Sequence, residues 1–284
     1  VAEALRDGHA VWGVSRSMEP HPVFFPYRWP LNVEGRGLAT DENFQFQAID
    51  LNSQLDDLLD LIDRVQPELV VNFAAQGMVA ESWLNPTHWY RTNVVAQVAL
   101  HDALRQKTFL QKYVHVTTPE VYGSTDGGWI KEHNHFSPST PYAVSRAACD
   151  LHLHSFHEAY GFPVVFTRAA NVYGPGQQLY RIIPRTLLSA RTGKQMQLHG
   201  GGHSVRAFIH IQDVVRATLQ LANEGEPGST WHLSTQESCS IRTLVEQICS
   251  LCSADFKALV QESDERLGKD QSYLLDSASM RQVH

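Results

Sequence analysis

Apolar and polar positions along the chain switch between a helical and a strand period. "VAEALRDGHAVWGVSRS" reads as the end of a helix, a turn at Gly8 and a strand over Ala10 to Val14. A helix opening the chain leads us to expect that the first strand of the sheet is missing ahead of it. "FQFQAID" (Phe44 to Asp50) predicts a strand, and "LNSQLDDLLDLIDRVQP" a helix with apolar residues at helical spacing. "ELVVNFAA" (Glu68 to Ala75) is a continuous apolar run of the sort buried on both faces of a parallel sheet. "PTHWYRTNVVAQVALHDALRQ" predicts a long amphipathic helix and "KYVHVTT" another strand. "PYAVSRAACDLHLHSFHEAYG" is a helix opened by Pro141, a favoured first-turn residue, and closed by Gly161. "FPVVFTRAA" is again a strand. Strands and helices in alternation predict an α/β fold, a doubly wound, Rossmann-like parallel sheet.

After Asn171 the pattern loosens. "HIQDVVRATLQLANEG" and "SIRTLVEQICSLCS" predict helices and "STWHLST" a strand, whereas "GGGHS" (Gly200 to Ser204) reads as a hairpin. The expected division is a dinucleotide-binding domain over 1–173 and a mainly substrate-binding lobe over 174–284, with 206–235 returning in part to the first domain.

Composition narrows the class. The 284 residues carry a formal net charge of −7, which disfavours nucleic acid as a partner. No run of 18 or more apolar residues marks a membrane span, and no signal peptide is evident. The four cysteines make no disulfide framework, which suits a reducing cytoplasm. Cys249 and Cys252 form a CxxC inside a helical pattern, so a core helix is the better reading. His152, His154 and His157 cluster on one helix without an evident further ligand, and no metal site is expected.

Ligands of doubly wound sheets sit at the carboxyl ends of the strands. Those ends here are Ser15 to Ser17, Asp50 with Leu51, Ala74 to Gly77, Thr117 to Glu120, and Ala170 to Tyr173. Small residues in "FAAQG" let a flat ligand lie close to the backbone. Glu120 could act as a general base, or be a solvated loop carboxylate. In "STPYAVSRAACD", Tyr142 and Arg146 share one helix face.

Seven stretches, "VVNFAAQGMVAESW", "YRTNVVAQVAL", "HVTTPEVYGS", "STPYAVSRAACD", "RAANVYGPGQ", "HSVRAFIHIQDVVRA" and "ERLGKDQSYLLD", span nearly the whole chain. Together they resemble the extended short-chain dehydrogenase/reductase family and, within it, the nucleotide-sugar 4,6-dehydratases. The resemblance implies a catalytic Thr118, a catalytic base in Tyr142, Arg146 where the family has lysine, and Glu120 as the base for a sugar C5 proton. Where the family's glucose branch has Thr-Asp-Glu, this chain has Thr118-Pro119-Glu120, and a proline cannot donate the proton a departing hydroxyl needs. A phenol of pKa about 10 needs a neighbouring cation to work as a base near neutrality. Arginine supplies that charge, and its fork suits a ribose diol, but it cannot relay a proton.

By the same resemblance Ser15, Arg16, Ser17, Asp50, Leu51, Phe73, Ala74, Ala75, Gln76, Thr92, Tyr142 and Arg146 would hold the cofactor. Arg16 between two serines suits a 2′-phosphate, so NADP is expected, with NAD as the alternative. The family's glycine-rich phosphate turn has no counterpart ahead of the first helix. Ser82, Thr118, Asn171, Arg181, Arg206 and Arg266 would meet a nucleotide-diphosphate sugar, the arginines suiting its phosphates. A homodimer is implied through helices 86–105 and 141–160, with the helix histidines at that interface. Two other readings stay open: an epimerase or reductase of the same fold, and a non-catalytic nucleotide-binding homologue.

Overall fold

The computed structural model describes residues 1–29, 38–125, 127–264 and 272–283. α1 (Ala2–Arg6) leads into β1 (Val11–Ser15), which pairs in parallel with β2 (Phe44–Ala48). α2 (Leu55–Val65) carries the chain to β3 (Leu69–Asn72). A helical passage follows as α3 (Pro86–Tyr90), a π turn over Arg91–Val95, and α4 (Ala96–Leu104). Next come β4 (Lys112–Thr117), a 3-10 turn over Pro119–Tyr122, β5 (Trp129–Ile130), α5 (Pro141–Tyr160), β6 (Val164–Ala169) and β7 (Asn171–Tyr173). The remainder runs α6 (Ile182–Thr192), β8 (Met196–His199), β9 (Val205–His210), α7 (Ile211–Glu224), β10 (Thr230–Leu233) and β11 (Ser238–Ser240). It ends with α8 (Ile241–Leu251), α9 (Phe256–Leu259), β12 (Val260–Ser263), β13 (Ser272–Leu275) and α10 (Ala278–Gln282).

The central sheet is β10-β6-β4-β3, all parallel. β6 shows why it lies inside. Val164 and Phe166 pack with Leu58, Leu61, Leu100 and Leu153 on one face, while Val165 packs with Val214, Ala217 and Leu221 on the other. Successive strand side chains point to opposite faces, so one apolar run feeds two helical layers. The fold is therefore a doubly wound, Rossmann-like α/β fold. α7 covers its face with Val214, Ala217, Thr218, Leu221 and Ala222, a helical stripe.

α5 begins and ends where its sequence signals place it. Thr140 accepts a hydrogen bond from the Ala143 amide at 3.1 Å, Pro141 occupies the first turn, and Gly161 closes the helix at φ 66°. Its histidines pack against the protein's own core on their inner sides. His152 stacks on His101 at 5.6 Å, His154 on the buried Phe166 at 4.2 Å, and His157 Nδ1 lies 3.0 Å from the Phe162 carbonyl oxygen. The exposed stripe of α5 carries Val144 and Leu151.

The glycine cluster is not a hairpin. Gly200–Gly202 form a 3-10 turn between β8, which pairs with β12, and β9, which pairs with β7, β11 and β13. A side chain on Gly202, at φ 74°, would meet the Arg242 amide and Leu198, so glycine fits this change of sheet. The smaller cluster of Leu198, Val245, Cys249 and Leu259 lies here, and Cys249 is a buried core residue of α8. β9 and β13 bring Val205–His210 and Ser272–Leu275 beside Asn171–Tyr173. β10 joins the central sheet.

β1 and β2 form a separate two-stranded sheet. Between the foot of β1 and the foot of β3 lies a groove of about 420 Å³, lined by His9, Ala10, Trp12, Leu69, Lys112 and Asn223 among others.

Candidate active site

The backbone after β3 is gripped from below. The Asn72 carboxamide oxygen accepts from the Ala74 amide at 2.8 Å, and Gln97 Nε2 donates to the Ala74 carbonyl at 2.9 Å. Asn93 takes both sides of Gln76: its Oδ1 accepts from the Gln76 amide at 2.7 Å, and its Nδ2 donates to the Gln76 carbonyl at 3.1 Å. Nδ2 also donates to Ser145 Oγ at 2.9 Å, tying this loop to α5. Asn93, Gln97 and His101 follow at four-residue spacing and are each fully buried. With its inner polar groups held, the segment presents Phe73, Ala74 and Ala75 to solvent at the sheet edge. The sequence reading missed Asn72, Asn93 and Gln97. For Asn93 and Gln97 the signal was a polar stripe on the face of a helix that should be apolar.

Thr118, Glu120, Tyr142 and Arg146 converge. Thr118 caps the 3-10 turn, its Oγ1 accepting from the Glu120 amide at 3.3 Å, and its hydroxyl lies beside the Tyr142 phenol. Desolvation raises the Tyr142 pKa above its ordinary value; the Arg146 charge opposes that, Glu120 adds to it, and Thr118 and Arg181 oppose it. The Arg146 charge favours the phenolate, but burial outweighs it. Pro119 is buried at the start of the turn and carries no proton to give.

Arg146 is 2% exposed. One terminal nitrogen donates to the Val116 carbonyl at 2.5 Å and lies 3.4 Å from His115 Nε2. Its Nε and Nη1 are buried without a partner. Asp150, one helical turn on, is fully buried and pairs with Arg168 at 2.8 Å; its other oxygen lies 3.3 Å from His115 Nε2. These hydrogen bonds and charges hold the Asp150 carboxyl well below the usual range despite its burial. Arg168 also donates to the Tyr122 hydroxyl at 2.6 Å, in the turn that carries Glu120.

Ser82, expected at the substrate, is fully buried, which leaves it no exposed surface for a ligand. Its hydroxyl donates to the Val79 carbonyl at 2.6 Å and accepts from the Tyr142 amide at 3.2 Å, so it seats the start of α5. Asn171 accepts from the Tyr273 hydroxyl at 3.1 Å, and the same ring lies 4.3 Å beneath the Arg206 guanidinium. Arg181 is exposed at the start of α6, and Arg266 lies outside the described residues. Asp50 accepts from Asn52, and Asn52 donates to Thr92 Oγ1 at 3.1 Å, which joins two expected cofactor contacts. Ser15, Arg16 and Ser17 are exposed at the end of β1. Ligand atoms of the buried His101, His115 and Cys149 lie within 4.8 Å of one another. The Arg146 and Arg168 charges beside His115 oppose a cation there.

A family model described as GDP-mannose 4,6 dehydratase matches residues 5–284. The chain belongs to this family. dTDP-glucose 4,6-dehydratase of Streptomyces niveus is 33% identical over 247 residues, covering 86% of this chain and 71% of that protein. A trifunctional UDP-glucose 4,6-dehydratase, epimerase and reductase of Arabidopsis thaliana is 30% identical over 245 residues; the match covers 85% of this chain and 36% of the plant protein. A crystal structure of dTDP-glucose 4,6-dehydratase DesIV from Streptomyces venezuelae, a double mutant with NAD and DAU bound, superposes with a TM-score of 0.78 at 28% identity. That alignment covers 86% of this chain and 74% of the other. UDP-glucose 4-epimerase of Thermus thermophilus shares the fold, with a TM-score of 0.85 at 21% identity over 99% of this chain and 87% of that one.

The Asp50–Asn52–Thr92 cluster offers polar groups for one end of a nicotinamide dinucleotide, whereas the unpartnered Arg146 nitrogens are buried and offer a ribose diol no surface in this arrangement. Among the described residues, no glycine-rich turn joins a strand to a helix at this edge.

Proposed function

We propose that this chain is a nucleotide-sugar 4,6-dehydratase that uses NAD(P) to form a 4-keto-6-deoxy sugar nucleotide. The observation that carries the reading is the meeting of the Thr118 hydroxyl, the Arg146 charge and the Glu120 carboxylate around the Tyr142 phenol at one sheet edge. The named relatives and the NAD in the DesIV structure support it.

The nicotinamide, when bound, would accept hydride from C4 and return it at C6. Tyr142, assisted by Thr118, removes the C4 hydroxyl proton, and Arg146 steadies the phenolate. Glu120 removes the C5 proton, which the new C4 carbonyl acidifies. The hydroxyl on C6 then leaves as water and needs a proton. Pro119 has none, so the Glu120 carboxylic acid formed by the previous transfer is the donor this turn offers.

Exposed Arg16 between two serines favours NADP, although the solved relative carries NAD. Asn171, Arg181 and Arg206 would receive the nucleotide diphosphate, Arg206 already aligned over Tyr273. Residues 1–173 would form the dinucleotide domain and 174–284 chiefly the substrate lobe. Exposed Val95, Val144 and Leu151 on the outer sides of the π turn and α5 favour a homodimer through those helices.

Incubation with dTDP-, UDP- and GDP-hexoses in deuterated water tests the reading. A dehydratase gives a 4-keto-6-deoxy product with deuterium at C5. Turnover that retains the C6 hydroxyl refutes it in favour of an epimerase or reductase.

A further inference from the structure

Arg146 and Asp150 stand four residues apart on α5, the spacing at which opposite charges on a helix pair. They are not hydrogen-bonded to each other. Asp150 Oδ2 instead accepts from Arg168 of β6 at 2.8 Å and from the Thr117 hydroxyl at 3.1 Å. Arg146 is left with one bond to a backbone carbonyl and two buried nitrogens without partners. Both Arg168 and Asp150 are fully buried, so water does not screen the competition between the two guanidiniums for one carboxylate.

We infer that Arg168 is a positioning residue: by taking Asp150 it stops the Arg146 guanidinium from closing on that carboxylate and leaves its charge directed to Tyr142. The inference rests on the reading of Tyr142 as the proton acceptor.

The charge balance follows directly. Arg146 and Arg168 are two cations and Asp150 is one anion, while burial holds the intervening His115 neutral. The core therefore keeps one surplus positive charge, and the oxygen to which Arg146 donates is the neutral Val116 carbonyl. Tyr142 is faced by Arg146 from its own helix, by Thr118 and Glu120 from the turn after β4, and by Arg181 from the start of α6. Arg146 is faced by Cys149 and Asp150 on α5, by Tyr113 and His115 of β4, and by His101 of α4. His101 is also held neutral, and burial pushes the Cys149 thiol up to about 12, so Asp150 is the anion within this group that can compete for Arg146.

The test titrates Tyr142 in the resting protein, without substrate, so it stands apart from whether the chain dehydrates sugars. Tyrosine labelled with ¹³C at the hydroxyl-bearing carbon gives one signal per residue, and the Tyr142 signal is the one absent from Tyr142→Phe. Arg168→Met should raise the Tyr142 midpoint by about one pH unit or more, because Asp150 then captures Arg146. Arg168→Lys should hold it near the wild-type value. Asp150→Asn should lower it, since the core gains a charge, and Arg168→Met with Asp150→Asn should return it to wild type. If Arg168→Met does not fold, Asp150→Asn and the double variant decide the matter by themselves. Equal Tyr142 midpoints in wild type and Asp150→Asn, or no return in the double variant, overturn the inference. A purely structural role would shift no midpoint in this order.

Discussion

Asn93→Ala removes the buried link between the loop after β3 and α5. Three hydrogen bonds go: from the Gln76 amide at 2.7 Å, to the Gln76 carbonyl at 3.1 Å, and to Ser145 Oγ at 2.9 Å. The Gln76 amide loses its acceptor inside the protein, which costs about 1–3 kcal/mol, and the other two bonds add about 1 kcal/mol each. Alanine returns about 0.6 kcal/mol through better helix propensity. The net expected loss is about 3 kcal/mol, a fall in Tm of about 5 °C for a chain of 284 residues. Urea denaturation followed by tryptophan fluorescence measures the loss. Because this loop presents Phe73 to Ala75 to the expected cofactor, dinucleotide affinity by calorimetry should fall about tenfold, roughly 1.4 kcal/mol. Asn93→Asp adds a pH signature. Its protonated carboxyl can both accept from and donate to Gln76, whereas the ionised form cannot donate and is buried. Its folded pKa therefore lies above the unfolded value, and its stabilisation is present at low pH and lost as pH rises. That variant should sit closer to wild type at pH 5 than at pH 8. A loss under about 1 kcal/mol for Asn93→Ala, with unchanged affinity, would refute the reasoning.

Three further outcomes are expected. Glu120→Gln should lower dehydration at least about 100-fold while C4 oxidation, read as cofactor absorbance at 340 nm in a single turnover, persists. Gly123→Ala should destabilise the turn that carries Glu120, because Gly123 sits at φ 75° and an added methyl would collide with the Ser137 carbonyl; a lower Tm and weaker activity should appear together. His232 is buried, accepting from the Tyr122 hydroxyl and donating to the Asp276 carbonyl, with its pKa lowered to about 3, mainly by burial. Its contribution is present above the unfolded value near 6.5 and lost as pH falls, so His232→Gln should flatten the acid limb of stability by up to about 1.4 kcal/mol per pH unit.

Much of the site was legible because it rests on local rules. Thr140, Pro141 and Gly161 mark both ends of α5, and helical spacing then places Tyr142 and Arg146 together. The strand-end rule found Ala74 to Gly77 and Thr117 to Glu120. What stayed hidden depends on partners distant in the chain. Ser82 has the residue type of a ligand contact, yet Val79 and the Tyr142 amide occupy it. Arg146 was placed correctly on the helix, but its destination is set by β4 and by Arg168. The helix histidines are polar in type, and only the packing of α5 on β6 and α4 shows that His152 and His154 face inward. The glycine cluster has the composition of a hairpin, and strand partners more than 30 residues away make it a junction between sheets.

The seam between β1–β2 and the central sheet has a consequence for how the protein opens. Among the described residues no strand ladder crosses it, so the pair is held without backbone hydrogen bonds to the central sheet. Such a unit can detach without breaking the β10-β6-β4-β3 ladders. Amide protons of Val11 to Ser15 and Phe44 to Ala48 should therefore exchange with solvent through a partial unfolding of low free energy, while those of Val164 to Ala169 wait for the global one. The seam sets a hierarchy of release in which the sheet edge with Ser15 to Ser17 is the first part of the fold to let go.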